Sequence, residues 1–302
     1  MKQELSILIP VYNTVCTDMV RILSQQCESI RQQHSSFCYE IIVADDASTD
    51  AACIELNQQI IRLPWCCFIK KETNTGSAST RNFLARNSKY QWLLFLDCDM
   101  LISNNNFIEQ YLNDGHPSKV INGGINIGHC EEGNSNLRFL YEKQNEPYHT
   151  AEKRSLRPYH SFRSTNFLIE RETMLACPFD ERFLKSGYED VLFGKQLKQK
   201  HISVAHIDNP TTMADFENNP DYITKIERSL RTLHTFRSDL SGFSPLLTFV
   251  GGIHINLVRI AFRQWHRFFG KAEHRWLCSH HPNLTVFKLY KLGYYLTLTK
   301  ND

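Results

Sequence analysis

Four short segments of this 302-residue chain carry residue types that could share one piece of chemistry. Asp97-Cys98-Asp99 places two carboxylates one residue apart, directly after an apolar run. If the backbone turns there, both can face a divalent cation. Hard oxygens suit Mg2+ or Mn2+, and these ions hold diphosphates well. Such a cation neutralises charge developing on a departing diphosphate. Asp45-Asp46-Ala47-Ser48-Thr49-Asp50 also follows an apolar run. A carboxylate there can accept a hydrogen bond from a base N–H, and Ser48 can cap the next helix. Asn74-Thr75-Gly76 permits a tight turn, and Arg81 follows about one turn into a helix, within reach of a phosphate at its N-terminus. Gly187-Tyr188-Glu189-Asp190 opens another helix with two acids, where the dipole favours negative charge. A carboxylate held there can take the proton of an attacking hydroxyl.

Each segment also has a plain reading. Two acids around one residue form a common string, and Asp45 to Asp50 can be a capped turn. Arg81 can be a surface arginine, and helix starts attract acids in any protein. The weight lies in the order of the segments and in the elements that must position them. Residues 5–11 are apolar throughout, as expected of a strand buried on both faces. Residues 17–33 follow, with Val20, Leu23, Cys27 and Ile30 at helical spacing. Strands are expected at 39–44, 65–69 and 92–96, with helices at 51–62 and 77–87 between them. Repeated β-α-β units point to a parallel, doubly wound α/β sheet. Ligands of such sheets bind beyond the carboxyl ends of the strands, where Tyr12-Asn13, Asp45-Asp46 and Asp97-Cys98-Asp99 fall.

The middle is less regular. Residues 120–127 read as one strand with a bulge at Gly123-Gly124, 134–161 as a polar loop with a short helix, and 166–170 as a strand. A helix is expected at 188–200 and a strand at 202–207. Beyond residue 221 the alternation stops. A helix is expected at 222–236, and residues 241–302 are aromatic and basic, with eight Lys or Arg against two acids.

The bulk numbers exclude little. With 42% apolar and 22% charged residues and a formal charge of +2, the chain is ordinary for a globular protein. That charge gives no case for a nucleic-acid partner. Ten cysteines form no CxxC pair and no zinc-type cluster, and scattered thiols fit a reducing compartment. No signal peptide and no transmembrane run is expected.

In content and order these segments resemble the family-2 glycosyltransferases of the GT-A fold. The resemblance rests on Ser6-Ile7-Leu8-Ile9-Pro10-Val11-Tyr12-Asn13 and Glu40-Ile41-Ile42-Val43-Ala44-Asp45-Asp46-Ala47-Ser48-Thr49-Asp50. Asn74-Thr75-Gly76, Arg81-Asn82, Phe95-Leu96-Asp97-Cys98-Asp99 and the Glu189-Asp190 pair complete it. It covers roughly residues 4–217. It implies a GT-A (Rossmann-like), mostly parallel sheet flanked by helices in residues 1–217. The nucleotide-binding half would span about 1–100 and the acceptor half about 101–217. Residues 218–302 would be a helical, basic-aromatic C-terminal extension. The resemblance further implies that Pro10, Tyr12 and Asp46 line the nucleoside pocket, with Arg81 near the nucleotide. Asp97 and Asp99 would hold the donor and a divalent metal, Mn2+ or Mg2+. Asp190 would be the catalytic base, with Glu189 its partner in the pair. The implied reaction is inverting transfer from a nucleotide sugar, a UDP-sugar, to an acceptor hydroxyl on a glycan or lipid-linked glycan of a surface polysaccharide. A cytoplasmic setting goes with it.

One departure matters. His206-Ile207-Asp208-Asn209-Pro210 resembles a subgroup in which a second His follows, and Met213 stands in its place here. A thioether is a poor ligand for a hard cation, so the metal is in question unless His206 substitutes. The alternatives are therefore a catalytically impaired nucleotide-sugar-binding module and, further off, a sugar-phosphate nucleotidyltransferase. The latter needs a glycine-rich loop where this chain has Pro10-Val11-Tyr12-Asn13. Gly123-Gly124, Ser164-Thr165-Asn166-Phe167 and Tyr188 are candidates for the acceptor side. Residues 246–269 mix aromatic and basic residues at helical spacing, which suggests peripheral contact with the inner face of a membrane through 241–302.

Overall fold

The computed structural model describes residues 1–184, 187–253 and 255–299. In chain order its elements begin with β1 (Glu4–Val11), α1 (Thr17–Gln33), β2 (Cys38–Asp45), α2 (Ala51–Gln58), β3 (Cys66–Lys70), α3 (Gly76–Asn87) and β4 (Trp92–Leu96). Next come β5 (Met100–Leu101), α4 (Phe107–Asn113), β6 (Val120–Asn122), β7 (Ile125–Ile127), α5 (Leu137–Asn145), α6 (Ala151–Ser155), β8 (Asn166–Glu170) and α7 (Arg171–Ala176). The chain continues through α8 (Glu189–Gln199), β9 (Val204–His206), β10 (Thr211–Met213), α9 (Asn219–Thr235), α10 (Pro245–Gly252), α11 (Asn256–Leu277) and α12 (Leu284–Leu298). These elements form two units, Met1–Asn126 with Tyr148–Ala214 and Ile127–Pro147 with Asp215–Asp302.

The first unit is built on a seven-stranded sheet in the order β3-β2-β1-β4-β8-β6-β9. β1 runs parallel to both β2 and β4, with Ile7 opposite Ile41 and Leu94. β8 runs antiparallel to β4 and β6, and β9 returns parallel to β6. The sheet is mostly parallel and flanked by helices, as expected. Leu5, Ile7, Leu8 and Ile9 are all fully buried, which explains why β1 reads as an unbroken apolar run. Because β2 lies on one side of β1 and β4 on the other, the strand order reverses between β1 and β4. That crevice is where an open sheet of this type takes its ligand.

The middle differs from expectation. Residues 120–127 form two strands. β6 belongs to the large sheet, whereas β7 lies beside β10 in a small sheet of order β5-β10-β7. The break at Gly123 has a steric cause: a Cβ there would stand 2.6 Å from the Asn209 carbonyl oxygen. β10, α4 and α7 were not anticipated. The signal for α4 was present, since Phe107, Ile108, Tyr111 and Leu112 are its buried face at helical spacing.

The second unit is helical. Leu137 of α5, Tyr222 and Ile223 of α9, Leu277 of α11 and Phe287 and Tyr290 of α12 form its core. The sequence division at 217 gave no sign that 127–147 belongs with the C-terminal helices. Its apolar face, Leu137 with Tyr141, finds its partners there.

Candidate functional site

The site lies in the first unit, at the carboxyl ends of β1, β2 and β4. Asn13, just past β1, takes the left-handed conformation (φ 48°) that asparagine tolerates better than most residues. Its side-chain oxygen accepts the N–H groups of Thr49 (2.8 Å) and Asp50 (3.0 Å), and its own N–H donates to the Ser48 hydroxyl. The end of β1 is thereby tied to the loop that opens α2. Asp45 accepts from Ser48, and Asp50 caps α2 through the N–H groups of Ala52 and Cys53. Those two acids serve the turn. Pro10 is half-buried and Tyr12 stays 46% exposed at the rim of this edge.

Asp46 is buried and reaches further along the chain. It accepts from the Lys71 ammonium (2.6 Å) and from the backbone N–H groups of Thr75 (3.0 Å) and Gly76 (2.8 Å). Burial alone would raise its carboxyl. Lys71, the Thr75 N–H and Thr80 outweigh that and hold it below its ordinary value. Asp46 thus stays ionised and fixes the 74–76 turn at the head of α3. Lys71, which completes this arrangement and also donates to Thr80 (3.0 Å), was missed in the sequence. A lysine one residue beyond β3, level with the end of β2, was the available signal.

Gly76 opens α3 with φ 83°, and a Cβ there would lie 2.7 Å from the Leu184 carbonyl oxygen. Only glycine allows this close approach of the segment leading to α8. Arg81, one turn further on, is 3% exposed. It donates to the Asp97 carboxylate (2.6 Å), lies 3.8 Å from Glu189 and stacks 5.5 Å over the Phe179 ring. Burial opposes its charge, but Asp97, Glu189 and Asp190 more than restore it and raise its proton affinity. Among the described residues its Nε and Nη1 have no hydrogen-bond partner. Arg81 is therefore a buried cation that joins the strand-end acids of β4 to the acid pair of α8.

Glu189 is buried. It accepts from the Ser77 hydroxyl (3.0 Å) and the Gly187 N–H (2.6 Å), which locks the start of α8 against the start of α3. Tyr188 precedes it at φ 70°, a strained conformation for a bulky residue. Asp190 is half-buried, and its own neighbour Val191 donates to it (2.8 Å). Burial first, then the Glu189 charge, push its carboxyl up to about 6; Val191 N–H, Arg163 and Arg81 pull the other way. A carboxylate of that affinity is ionised near neutrality and is a stronger base than a free aspartate.

Asp97 is half-buried and Asp99 exposed. Met213 is buried on β10, directly opposite Met100, so it stands beside the Asp97-Cys98-Asp99 segment. His206 corrects an expectation. One ring nitrogen meets the Arg154 guanidinium (2.8 Å) and the other the Pro158 carbonyl oxygen (2.9 Å). Burial, above all, lowers its proton affinity to about 4. The neutral ring spends its proton on Pro158 and its lone pair on Arg154, so it has nothing left to offer a cation. Among the described residues no cluster of three or more His, Cys, Asp or Glu could hold a metal. Asp97 and Asp99 still fit Mg2+ or Mn2+ in the usual way, as one or two carboxylates that share the ion with substrate phosphates and water.

Two acceptor-side candidates are also corrected. Asn166 is buried, and its amide donates to the Gly124 and Asn209 carbonyls while accepting from Tyr111. Phe167 is core, stacked 4.9 Å from Phe95. Neither can line an open site.

Strand-end carboxylates gathered at the switch point of a mostly parallel sheet mark that edge of this α/β protein as its ligand-binding crevice. Residues 6–177 match the model of glycosyl transferase family 2, and the chain belongs to this family. A chondroitin synthase of Pasteurella multocida is 26% identical over 68% of this chain and 24% of its own length. An uncharacterised glycosyltransferase of Haemophilus influenzae is 42% identical over 32% of this chain and 29% of its own. The chain thus spans about a quarter to a third of the length of these relatives. Among solved structures, S. aureus TarS residues 1–349 share the GT-A fold at a TM-score of 0.53 and 16% identity, over 99% of this chain and 90% of that one.

Proposed function

We propose that the protein transfers a sugar from a UDP-sugar to an acceptor hydroxyl with inversion at the anomeric carbon. The observation that carries this reading is the buried Arg81, which holds Asp97 and Glu189 together next to Asp190. Donor acids and a base of raised affinity then share one site. Pro10 and Tyr12 form the nucleoside rim. Asp46, its buried carboxylate held by Lys71 and the Thr75 and Gly76 N–H groups, positions the 74–76 turn beside the nucleoside pocket. Asp97 and Asp99 hold the donor, and would hold a divalent cation that would supply positive charge to offset the diphosphate. Asp190 takes the acceptor proton as the acceptor oxygen attacks the anomeric carbon opposite the leaving group. Glu189 positions α8. The TarS fragment has been solved in complex with UDP-GlcNAc, which supports a UDP-sugar donor. Relatives named for minor teichoic acid biosynthesis and for poly(ribitol-phosphate) glucosyl transfer support a glycan or polyol-phosphate polymer as acceptor.

A second reading, a binding module without transfer, is favoured by Met213 alone. A panel of nucleotide sugars read by thermal shift, with and without Mn2+, separates the two when followed by product analysis. One UDP-sugar should raise the melting temperature, since a ligand of the folded state stabilises it by occupancy. It should also be consumed when an acceptor is present. Stabilisation without consumption across a broad acceptor set would establish the binding module instead.

A further inference from the structure

Helix α11 has a face that a water-soluble surface does not require. Its 22 residues span about 33 Å. One side packs within the second unit. Gly270 and Leu277 are buried there, and Glu273 is buried and accepts from the Trp265 indole (2.8 Å) and the His266 ring (3.3 Å). On the opposite side Leu257, Ala261, Trp265, Phe268, Ala272 and Trp276 are all exposed, at steps of four, four, three, four and four residues. They form one continuous stripe, in which Leu257 is 75% and Phe268 79% exposed. Scattered exposed apolar residues need no account, but a contiguous aromatic stripe along a whole helix marks an interaction surface.

The charges name the occupant. Along one margin of the stripe run Arg267, Lys271 and Arg275, four residues apart and exposed. With His266 and His274 they line an open groove of about 490 Å3 against Tyr290 and Tyr294. The helix has five Lys or Arg and one acid, Glu273, which is buried. The exposed face therefore carries no negative charge to meet a basic or mixed protein surface. An apolar-aromatic stripe with a purely cationic margin complements a layer that is apolar below and anionic above. Among the described residues no helix is long and apolar enough to cross a membrane. We propose that α11 lies in the headgroup layer of an anionic bilayer, with the Leu257-to-Trp276 stripe inserted and Arg267, Lys271 and Arg275 on lipid phosphates. This inference is independent of the transfer reaction.

The test uses the full chain and point variants, because removing residues 241–302 would also strip Leu277 and Phe287 from the core around Leu137. Co-sedimentation and tryptophan emission are measured with vesicles of phosphatidylcholine alone and of phosphatidylcholine with phosphatidylglycerol. Binding is expected only with the anionic vesicles, weakened by salt and accompanied by a blue shift. Phe268→Asp and, separately, Leu257→Asp should each weaken it about tenfold or more, since each removes a buried apolar side chain from the lipid phase. Lys271→Glu with Arg275→Glu should abolish it. Circular dichroism and donor-induced thermal shift should match the parent in every variant. Equal binding to neutral vesicles, or binding that survives both Asp variants, would overturn the proposal. So would a dimer in vesicle-free solution that Phe268→Asp dissociates while vesicles bind neither form, because the stripe would then serve a second copy.

Discussion

Asp190→Asn should abolish transfer and at the same time stabilise the protein in a pH-dependent way. The Asp190 carboxyl is raised from its ordinary 3.8 to about 6, chiefly by burial. At ~1.4 kcal/mol per pH unit, the folded protein favours the neutral side chain by ~3 kcal/mol once the solution is well above pH 6. The sign follows from proton binding. Below pH 3.8 the group is neutral in both folded and unfolded chains and exerts no effect. Between 3.8 and 6 the unfolded chain ionises first, so stability falls as pH rises. Above 6 the loss is complete. An asparagine of the same shape escapes this loss. Its advantage in urea unfolding of the donor-free protein should grow from under ~1 kcal/mol at pH 4 to ~3 kcal/mol at pH 8. Transfer should fall ~100- to 10,000-fold, the worth of a general base, while the donor still raises the melting temperature. The parent's kcat/KM should rise with pH through a midpoint near 6. A stability gain that does not vary with pH, or an Asn variant with full transfer, would refute the assignment of Asp190 as a desolvated base.

Arg81→Met should cost ~3 kcal/mol in the same unfolding assay, because Asp97 and Glu189 lose a buried cation; Arg81→Lys should recover only part, lacking the planar fork. Gly76→Ala should cost ~1 kcal/mol or more and depress transfer, since the backbone φ and the Leu184 carbonyl oppose a side chain; a thermal melt with product analysis checks both. His206→Ala should lower stability by ~1–3 kcal/mol, because the buried Pro158 carbonyl loses its donor while Arg154 keeps Asn122, yet leave Mn2+ affinity by calorimetry unchanged. Met213→His should tighten Mn2+ binding in that assay, because it places an imidazole beside Asp99.

Roughly the first hundred residues were legible because their central strands are buried on both faces and their acidic residues sit at strand ends. Apolar runs ending in Asp45-Asp46 and Asp97-Cys98-Asp99 give both an element and a site in one reading. The buried couplings between segments were not legible. Nothing in sequence spacing says that Arg81 turns inward to Asp97, or that Lys71 completes Asp46, because both are set by tertiary packing across 16 and 25 residues. His206 looked like a ligand because histidine commonly is one; only the Arg154 guanidinium, 52 residues away, shows that its lone pair is taken. The Gly123-Gly124 pair signalled irregular backbone correctly, but not that the chain changes sheets there.

The second unit is discontinuous in sequence, and this constrains how the protein is made. As the chain leaves the ribosome, residues 127–147 emerge long before residues 277–290, which complete their core. Until then Leu137 and Tyr141 present an unfilled apolar face, while the strands on either side of the excursion already have partners to pair with. The first unit can close once residue 214 has emerged, but the second must wait for residues 277–290. Slow synthesis, or early termination near residue 217, would leave that face open to chaperones and to aggregation. A rare-codon pause between residues 217 and 277 should therefore lower solubility more than the same pause placed after residue 290.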